Sequence, residues 1–326
     1  MEPIGISIVI LAFLIGLSTG ANDAANAIGL LVGSDTMRFR KAAILVSIFV
    51  ISGAILQGHG VIKTVGKGII PSITDNSNSN NVLILAALLS TLLLVGIMTV
   101  MAFPISTTHA IIGSIVGAGI AAGLFHEINF LTVYEIVTSW VLTPAATIIL
   151  AIIIYALIIA PLSAKMSIIQ FNRIFQIILL FGTFSLAYSV GANNIGSVAG
   201  PLIIANILND TTILAVLFGI SMGLGTVFFS RRVVFTVGNR ITSMCPVLAF
   251  TSQFSAGLVI YIFTLLGIPV SSTQAVIGGI FGIGVLKGTR SVDKKTIEYI
   301  FLGWILTPVI SAILSILCYT LLSSVL

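Results

Sequence analysis

Apolar runs of roughly twenty residues alternate with short polar breaks along this chain, and the strict apolar/polar alternation of strands is missing. Coiled as helices, runs of that length match the hydrocarbon core of a bilayer. Reading runs against breakers predicts five spans in each half of the chain. They cover 4–33, 42–62, 82–102, 104–124 and 131–160, then 172–206, 211–229, 246–266, 269–286 and 297–325. The first span of each half is too long for one straight helix and contains a Gly-Ala-Asn motif, which predicts a break there. The fourth is short, glycine-rich and opens on Pro-x-Ser, so it either crosses fully or folds back as a re-entrant hairpin.

The polar breaks occur twice, in the same order. GANDAANAIG (Gly20 to Gly29) returns as GANNIGSVAG (Gly191 to Gly200), and PISTTHAIIG (Pro104 to Gly113) as PVSSTQAVIG (Pro269 to Gly278). WVLTP (Trp140 to Pro144) returns as WILTP (Trp304 to Pro308). A period of half the chain marks a duplicated unit, not a solenoid. The repeats are assigned to 1–165 and 166–326 and together form one integrated transmembrane domain. Matching interruptions of apolar segments in two halves point to a transporter binding site.

Charge gives the orientation. With all ten spans crossing and the N-terminus outside, every one of the 14 Lys and Arg residues except Lys63 and Lys67 falls inside. The positive-inside rule favours that arrangement in the cytoplasmic membrane. Five crossings per half make the two repeats inverted, with both termini outside. Re-entrant fourth spans would require another segment, most naturally the broken first one, to be recounted.

Composition agrees: hydrophobic residues make up 58% and charged residues 7%, with mean hydropathy +1.22, which leaves no means of coating a soluble surface. The expected fold is all-α and polytopic, and membrane lipid is its solvent. The net charge of +5 sits in loops, so no nucleic-acid partner is expected. Cys245 and Cys318 lie in or beside apolar segments and fit neither a metal site nor a disulfide framework. The start (Met1, Glu2, Pro3) lacks the basic residues of a signal peptide, so the first apolar stretch reads as a retained helix. A homodimer is left open.

Asp23 is the one carboxylate that this map places deep inside a span; Glu135 falls near a span end. A carboxylate at that depth is expensive and marks a functional site by default. Asn22 and Asn26 flank it and share a helix face. Gly20 is expected to let the helix unwind and free backbone carbonyls. Carboxylate, amide oxygen and carbonyl form an all-oxygen set suited to Na+ or to proton relay. The second copy adds Asn193, Asn194 and Ser197, and a Na+ site is expected at the Asp23, Asn22 and Asn194 cluster. The plainer alternative is that these side chains only satisfy backbone groups at a helix break.

Pro104 precedes Ser106, Thr107 and Thr108, and Pro269 precedes Ser271, Ser272 and Thr273. Ser and Thr are favoured N-caps and Pro sits at helix starts. A helix start offers free N–H groups and a positive dipole end, which is an anion site. Two such starts could grip one tetrahedral oxyanion from both sides. His109 and its counterpart Gln274 follow the hydroxyl runs and fit substrate contact or a hydrogen bond between helices equally. Pro144 and Pro308 should free the carbonyls of Trp140 and Trp304 and kink the fifth spans. GSIVGAG (Gly113 to Gly119) reads as tight helix packing, with Ser114 a packing position.

An oxyanion at that depth would meet Asp23 and no basic side chain. Helix ends supply only about half a charge each, so a co-bound cation must supply the rest. That argues for cation-coupled anion symport. The rivals are a sulfate carrier of the same fold and an anion channel; the carboxylate and the lack of basic pore residues weigh against the channel. No nucleophile–base pair, nucleotide signature or redox motif appears, so neither an enzyme nor a cofactor beyond the transported cation is expected.

GANDAANA with its second GAN copy, together with PISTTHA and PVSSTQA, resembles the inorganic phosphate transporter (PiT) family along essentially the whole chain. The resemblance implies phosphate as substrate, driven by Na+ or H+, and an inverted repeat with extracellular termini. It implies that Asp23 is the functional aspartate and that Ser106 and Ser271 are the paired serines of phosphate handling. Asn194 stands where many relatives repeat the aspartate, Ser197 where asparagine is common, and Val50 where eukaryotic relatives carry a glutamate. The linker Ala160 to Arg173 lacks their large cytoplasmic insertion.

Overall fold

The computed structural model describes residues 3–71, 78–163, 165–240, 245–287 and 294–325. Its first half comprises α1 (Pro3–Asn22), α2 (Ala25–Gly33), α3 (Phe39–Gln57), α4 (His59–Lys63), α5 (Asn78–Val100), α6 (Thr107–Ala121), α7 (Phe130–Ile154) and α8 (Ala160–Ser163). The second comprises α9 (Ile168–Ile204), α10 (Thr211–Phe228), α11 (Arg231–Arg240), α12 (Pro246–Leu265), α13 (Ser272–Lys287) and α14 (Lys294–Ser323). Among the described residues there is no strand, and 8 helices are long and apolar enough to cross a membrane. Arg290 and residues 72–77 of the polar loop lie outside the described residues, as do the side chains of Arg240, Lys287, Lys294 and Lys295.

The first apolar segment, Pro3–Gly33, is interrupted at Asp23 as its motif predicts. The cause is local: the Asn26 N–H and its Nδ2 both donate to the Asp23 carbonyl, at 3.2 and 3.1 Å, while the Ala27 N–H turns to Ala24 O at 3.1 Å. An amide side chain competing for a backbone carbonyl disrupts the helical ladder. The break expected in the second copy does not form; α9 runs unbroken through GANNIGSVAG. There Ser197 replaces Asn26, and its shorter side chain reaches across to Thr108 Oγ1 at 3.4 Å.

Gly20 does not unwind its helix either. It lies inside α1, where a Cβ would sit 1.8 Å from Met222 O of α10. Its counterpart Gly191 would meet Val50 O of α3 at 2.0 Å. In each signature the glycine removes a side chain so that two backbones can touch. The same device recurs as expected in the fourth spans. Gly113 and Gly117 of α6 face Pro308 O and Ala312 O of α14, while Gly278 and Gly282 of α13 face Pro144 O and Ile148 O of α7. Each fourth helix therefore packs on the fifth helix of the other half, and the halves interlock.

Contacts define two ends of the bundle. His59 Nδ1 meets Thr211 Oγ1 at 3.0 Å and the Asn129 N–H donates to Ile69 O at 2.8 Å at one end. Gly33 against Gly238 and Arg232 Nη1 donating to Val100 O at 3.4 Å mark the other. With 15 and 16 residues, α6 and α13 are about 22–24 Å long, short of a full crossing. The loop after α5 dips inward from the Arg232 end, and α6 then runs on until Gly119 lies beside Ile70. The loop after α12 enters from the opposite end, where Gly267 sits beside Gly60. Both fourth helices are thus shorter than the 8 helices long enough to cross a membrane. The span map passed over α11, a basic amphipathic helix.

Candidate functional site

Loops at this depth need fixed partners for their backbone groups. Asn22 donates through Nδ2 to Thr99 Oγ1 and Phe103 O, both at 3.1 Å, and its Oδ1 accepts the Ile105 N–H at 3.1 Å. Asn193 does the same for the other loop: Nδ2 donates to Thr264 Oγ1 at 2.9 Å and Ile268 O at 3.1 Å, and Oδ1 accepts the Val270 N–H at 2.8 Å. The two asparagines expected in the cation set instead spend their amides pinning the loops. Thr99 and Thr264 escaped the sequence reading, although they stand at equal distances before Pro104 and Pro269 and extend the repeat.

The loops deliver two helix starts to one place. Ser106 Oγ caps α6 by accepting the His109 N–H, and Ser271 Oγ caps α13 by accepting the Gln274 N–H, each at 3.2 Å. The starts interlock: Thr108 Oγ1 donates to Val270 O at 3.1 Å and Thr273 Oγ1 to Ile105 O at 3.3 Å. The backbone N–H groups of Thr107, Thr108, Ser272 and Thr273 find no acceptor among the described residues. All four residues are buried. Four unpartnered donors on buried residues at the positive ends of two helices are an arrangement chemically suited to an anion.

Asp23 lies between these starts and is 1% exposed. Its Oδ2 accepts from Thr107 Oγ1 at 2.5 Å, and its Oδ1 accepts from Ser272 Oγ at 3.1 Å and Thr273 Oγ1 at 3.5 Å. Asn26 Nδ2 donates to Thr273 Oγ1 at 3.2 Å, and Asn194 Nδ2 to Ser272 Oγ at 3.3 Å. Asn194 Oδ1 is buried with no partner among the described residues. The structure thus brings together Asp23, Asn26, Asn194, Ser197 and the hydroxyls of both helix starts. Among the described residues no three His, Cys, Asp or Glu side chains gather, so the donor set is hydroxyl and amide oxygen around a single carboxylate. Hard monovalent cations suit such donors better than transition metals do.

His109 packs beside the two helix starts. Its Nδ1 donates to Trp304 O at 3.0 Å, the carbonyl that Pro308 was expected to free, and its ring stacks on Trp140 at 3.8 Å. Gln274 lies against the same imidazole. Two further polar groups were not flagged by sequence. Gln253 of α12 donates through Nε2 to Ala27 O at 2.7 Å, beside the α1–α2 break, and accepts from Thr183 Oγ1 at 2.6 Å. It has no polar counterpart in the first half, so the repeat could not mark it. Ser114 is a buried hydrogen-bond node as well as a packing position, accepting from Ser90 at 2.8 Å and Thr91 at 3.0 Å.

An all-helical bundle with interrupted, interlocked segments around a buried polar centre defines an integral membrane transporter. Residues 19–315 match the phosphate transporter family. A Methanocaldococcus jannaschii chain named "putative phosphate permease" is 32% identical over 306 residues, covering 94% of each chain. The Bacillus subtilis chain named "probable low-affinity inorganic phosphate transporter" is 30% identical over 328 residues, covering 98% of this chain and 97% of its own. A solved structure named "The sodium-dependent phosphate transporter" shares the fold, with TM-score 0.90 and 24% identity over 99% of this chain and 100% of that one. The chain belongs to the phosphate transporter family.

Proposed function

We propose that this protein imports inorganic phosphate across the cytoplasmic membrane by symport with Na+. Its halves, 1–165 and 166–326, act as inverted repeats with both termini outside. The observation that carries the reading is the meeting of two helix starts, with four unpartnered N–H groups, at the Asp23 carboxylate. Phosphate would take the N–H groups of Thr107, Thr108, Ser272 and Thr273, with Ser106 and Ser271 shaping the starts and His109 and Gln274 backing them. Na+ would sit on Asp23, Asn194 Oδ1 and nearby hydroxyl oxygens. The solved relative is named for its dependence on sodium, which is consistent with that choice.

Coupling follows from the hydroxyls. Thr107 and Ser272 now donate to Asp23. A cation on the carboxylate would take their oxygen lone pairs and free their hydrogens to turn toward an anion. Each ligand then improves the site for the other, as reciprocal linkage requires. Phosphate that carries a proton can also donate to a carboxylate, which sulfate cannot.

Radiolabelled phosphate uptake into proteoliposomes under imposed Na+ or H+ gradients, with sulfate as competitor, tests this reading. Concentrative, Na+-driven uptake resistant to sulfate is expected. Drive by H+ alone would move the coupling to proton relay at Asp23. Sulfate preference, or flux that never exceeds equilibrium, would replace the phosphate symporter with a sulfate carrier or a channel.

A further inference from the structure

Away from the central site, α1, α5 and the end of α10 line a groove of about 540 Å³ near the basic end of the bundle. Its walls are Leu14 and Leu17, Leu92 and Gly96, and Phe228 and Phe229. Arg231 and Arg232, both exposed, stand at its mouth. Arg232 donates to the last carbonyl of α5, Val100 O, and Arg231 lies over the Phe235 ring at 5.8 Å. No carboxylate pairs with either guanidinium among the described residues. Each guanidinium offers five N–H donors, so most remain unspent.

Gly96 shows that the groove is not a packing defect. A Cβ on Gly20, Gly113, Gly191 or Gly225 would collide with a neighbouring backbone, whereas one on Gly96 meets nothing within 4 Å. Glycine in a helix interior is unfavourable relative to alanine. Here no neighbouring backbone requires it, and it faces the open space of the groove.

We propose that this groove is a binding site for one anionic phospholipid, with its phosphate on Arg231 and Arg232 and an acyl chain along Leu14, Leu92 and Gly96. Charge complementarity selects the headgroup: paired arginines between transmembrane helices on a basic face suit anionic lipid phosphates. Exposed Phe228, Phe229 and Phe235 beside the arginines fit the aromatic–basic boundary between acyl chains and headgroups. The α5 wall from Leu92 to Val100 is about 12 Å long, enough for the upper part of a chain. The site also touches the transport centre. Thr99 lines the groove and holds Asn22, the residue beside Asp23.

Native mass spectrometry of the purified protein, titrated with phosphatidylglycerol or with phosphatidylcholine of the same acyl chains, tests the proposal. Phosphatidylglycerol should be retained over phosphatidylcholine by about tenfold or more, the scale expected for two arginines. Arg231→Gln with Arg232→Gln should remove the preference through the headgroup. Gly96→Phe should remove retention by filling the groove. Thermal melting checks that each variant is folded, and either one suffices if the other is not. Excess inorganic phosphate should not displace the lipid; displacement would make this a free-phosphate site and overturn the proposal. Equal retention of the two lipids by the unmodified protein, or a preference that survives a folded variant, would overturn it as well.

Discussion

Ser272 donates its hydroxyl hydrogen to Asp23 Oδ1 at 3.1 Å, joining the start of a second-half helix to the break in the first. Thr107 makes the matching bond to Oδ2 from the start of α6. One carboxylate therefore ties together both elements proposed to hold the anion. Its charge state, or a cation on it, reaches the start of α6 through the Thr107 hydroxyl and the start of α13 through those of Ser272 and Thr273.

The loops that deliver those starts depend on two asparagines. Asn22→Ala and Asn193→Ala each remove three hydrogen bonds and strand buried loop groups. Each should lower stability by about 2 kcal/mol or more. Thermal melting in detergent should show a clear drop for both, against an unchanged control, Ser52→Ala, on the exposed side of α3. A silent result at either position would contradict the equivalence of the two loops.

Ser106→Ala and Ser271→Ala each remove an N-cap and leave the first turn of α6 or α13 poorly held. Apparent phosphate affinity should weaken at either by about 1–2 kcal/mol, the usual scale of a lost cap. Uptake against phosphate concentration measures this. Unchanged affinity in both variants, in folded protein, would remove the paired anion site.

Glycines sort by what they touch. Gly113→Ala puts a Cβ 2.3 Å from Pro308 O and should reduce folded yield and melting temperature sharply. Gly96→Ala, with open space around it, should be neutral or stabilise by up to about 1 kcal/mol. Equal losses at both positions would contradict the packing assigned to α6 and α14.

Orientation can be read from a native thiol. Cys245 is exposed at the start of α12, near the basic end, so impermeant thiol reagents should miss it in intact cells and label it in inverted vesicles. In a Cys245→Ser background, Asn209→Cys at the opposite end should label from outside. The reverse pattern would invert the proposed topology.

Much of this was legible because the polar motifs occur twice along the chain. Spans, breaks and hydroxyl runs stand out when the same polar residues interrupt apolar sequence twice, and the meeting of two helix starts at Asp23 follows from them. The repeat also misled where its copies differ. Ser197 for Asn26 removes the amide that breaks the first helix, so α9 stays whole. Gly20 looked like an unwinding point, but no one-dimensional pattern reveals that Met222 O presses against it. Asn22 and Asn193 looked like cation ligands because their loop partners lie far along the chain. Gln253, without a twin, could be found only in three dimensions.

The central claim is that Asp23 holds the coupling cation, and Asp23→Asn tests it most directly. The change is nearly isosteric and makes the first signature read GANN, as the second already does. Phosphate uptake into proteoliposomes should be measured under imposed Na+ and H+ gradients, with thermal melting in detergent as the folding control. Collapse of concentrative uptake and of its response to the gradient, with melting preserved, is the predicted result. Gradient-driven uptake that persists in Asp23→Asn would contradict the coupling mechanism, even with phosphate as the substrate.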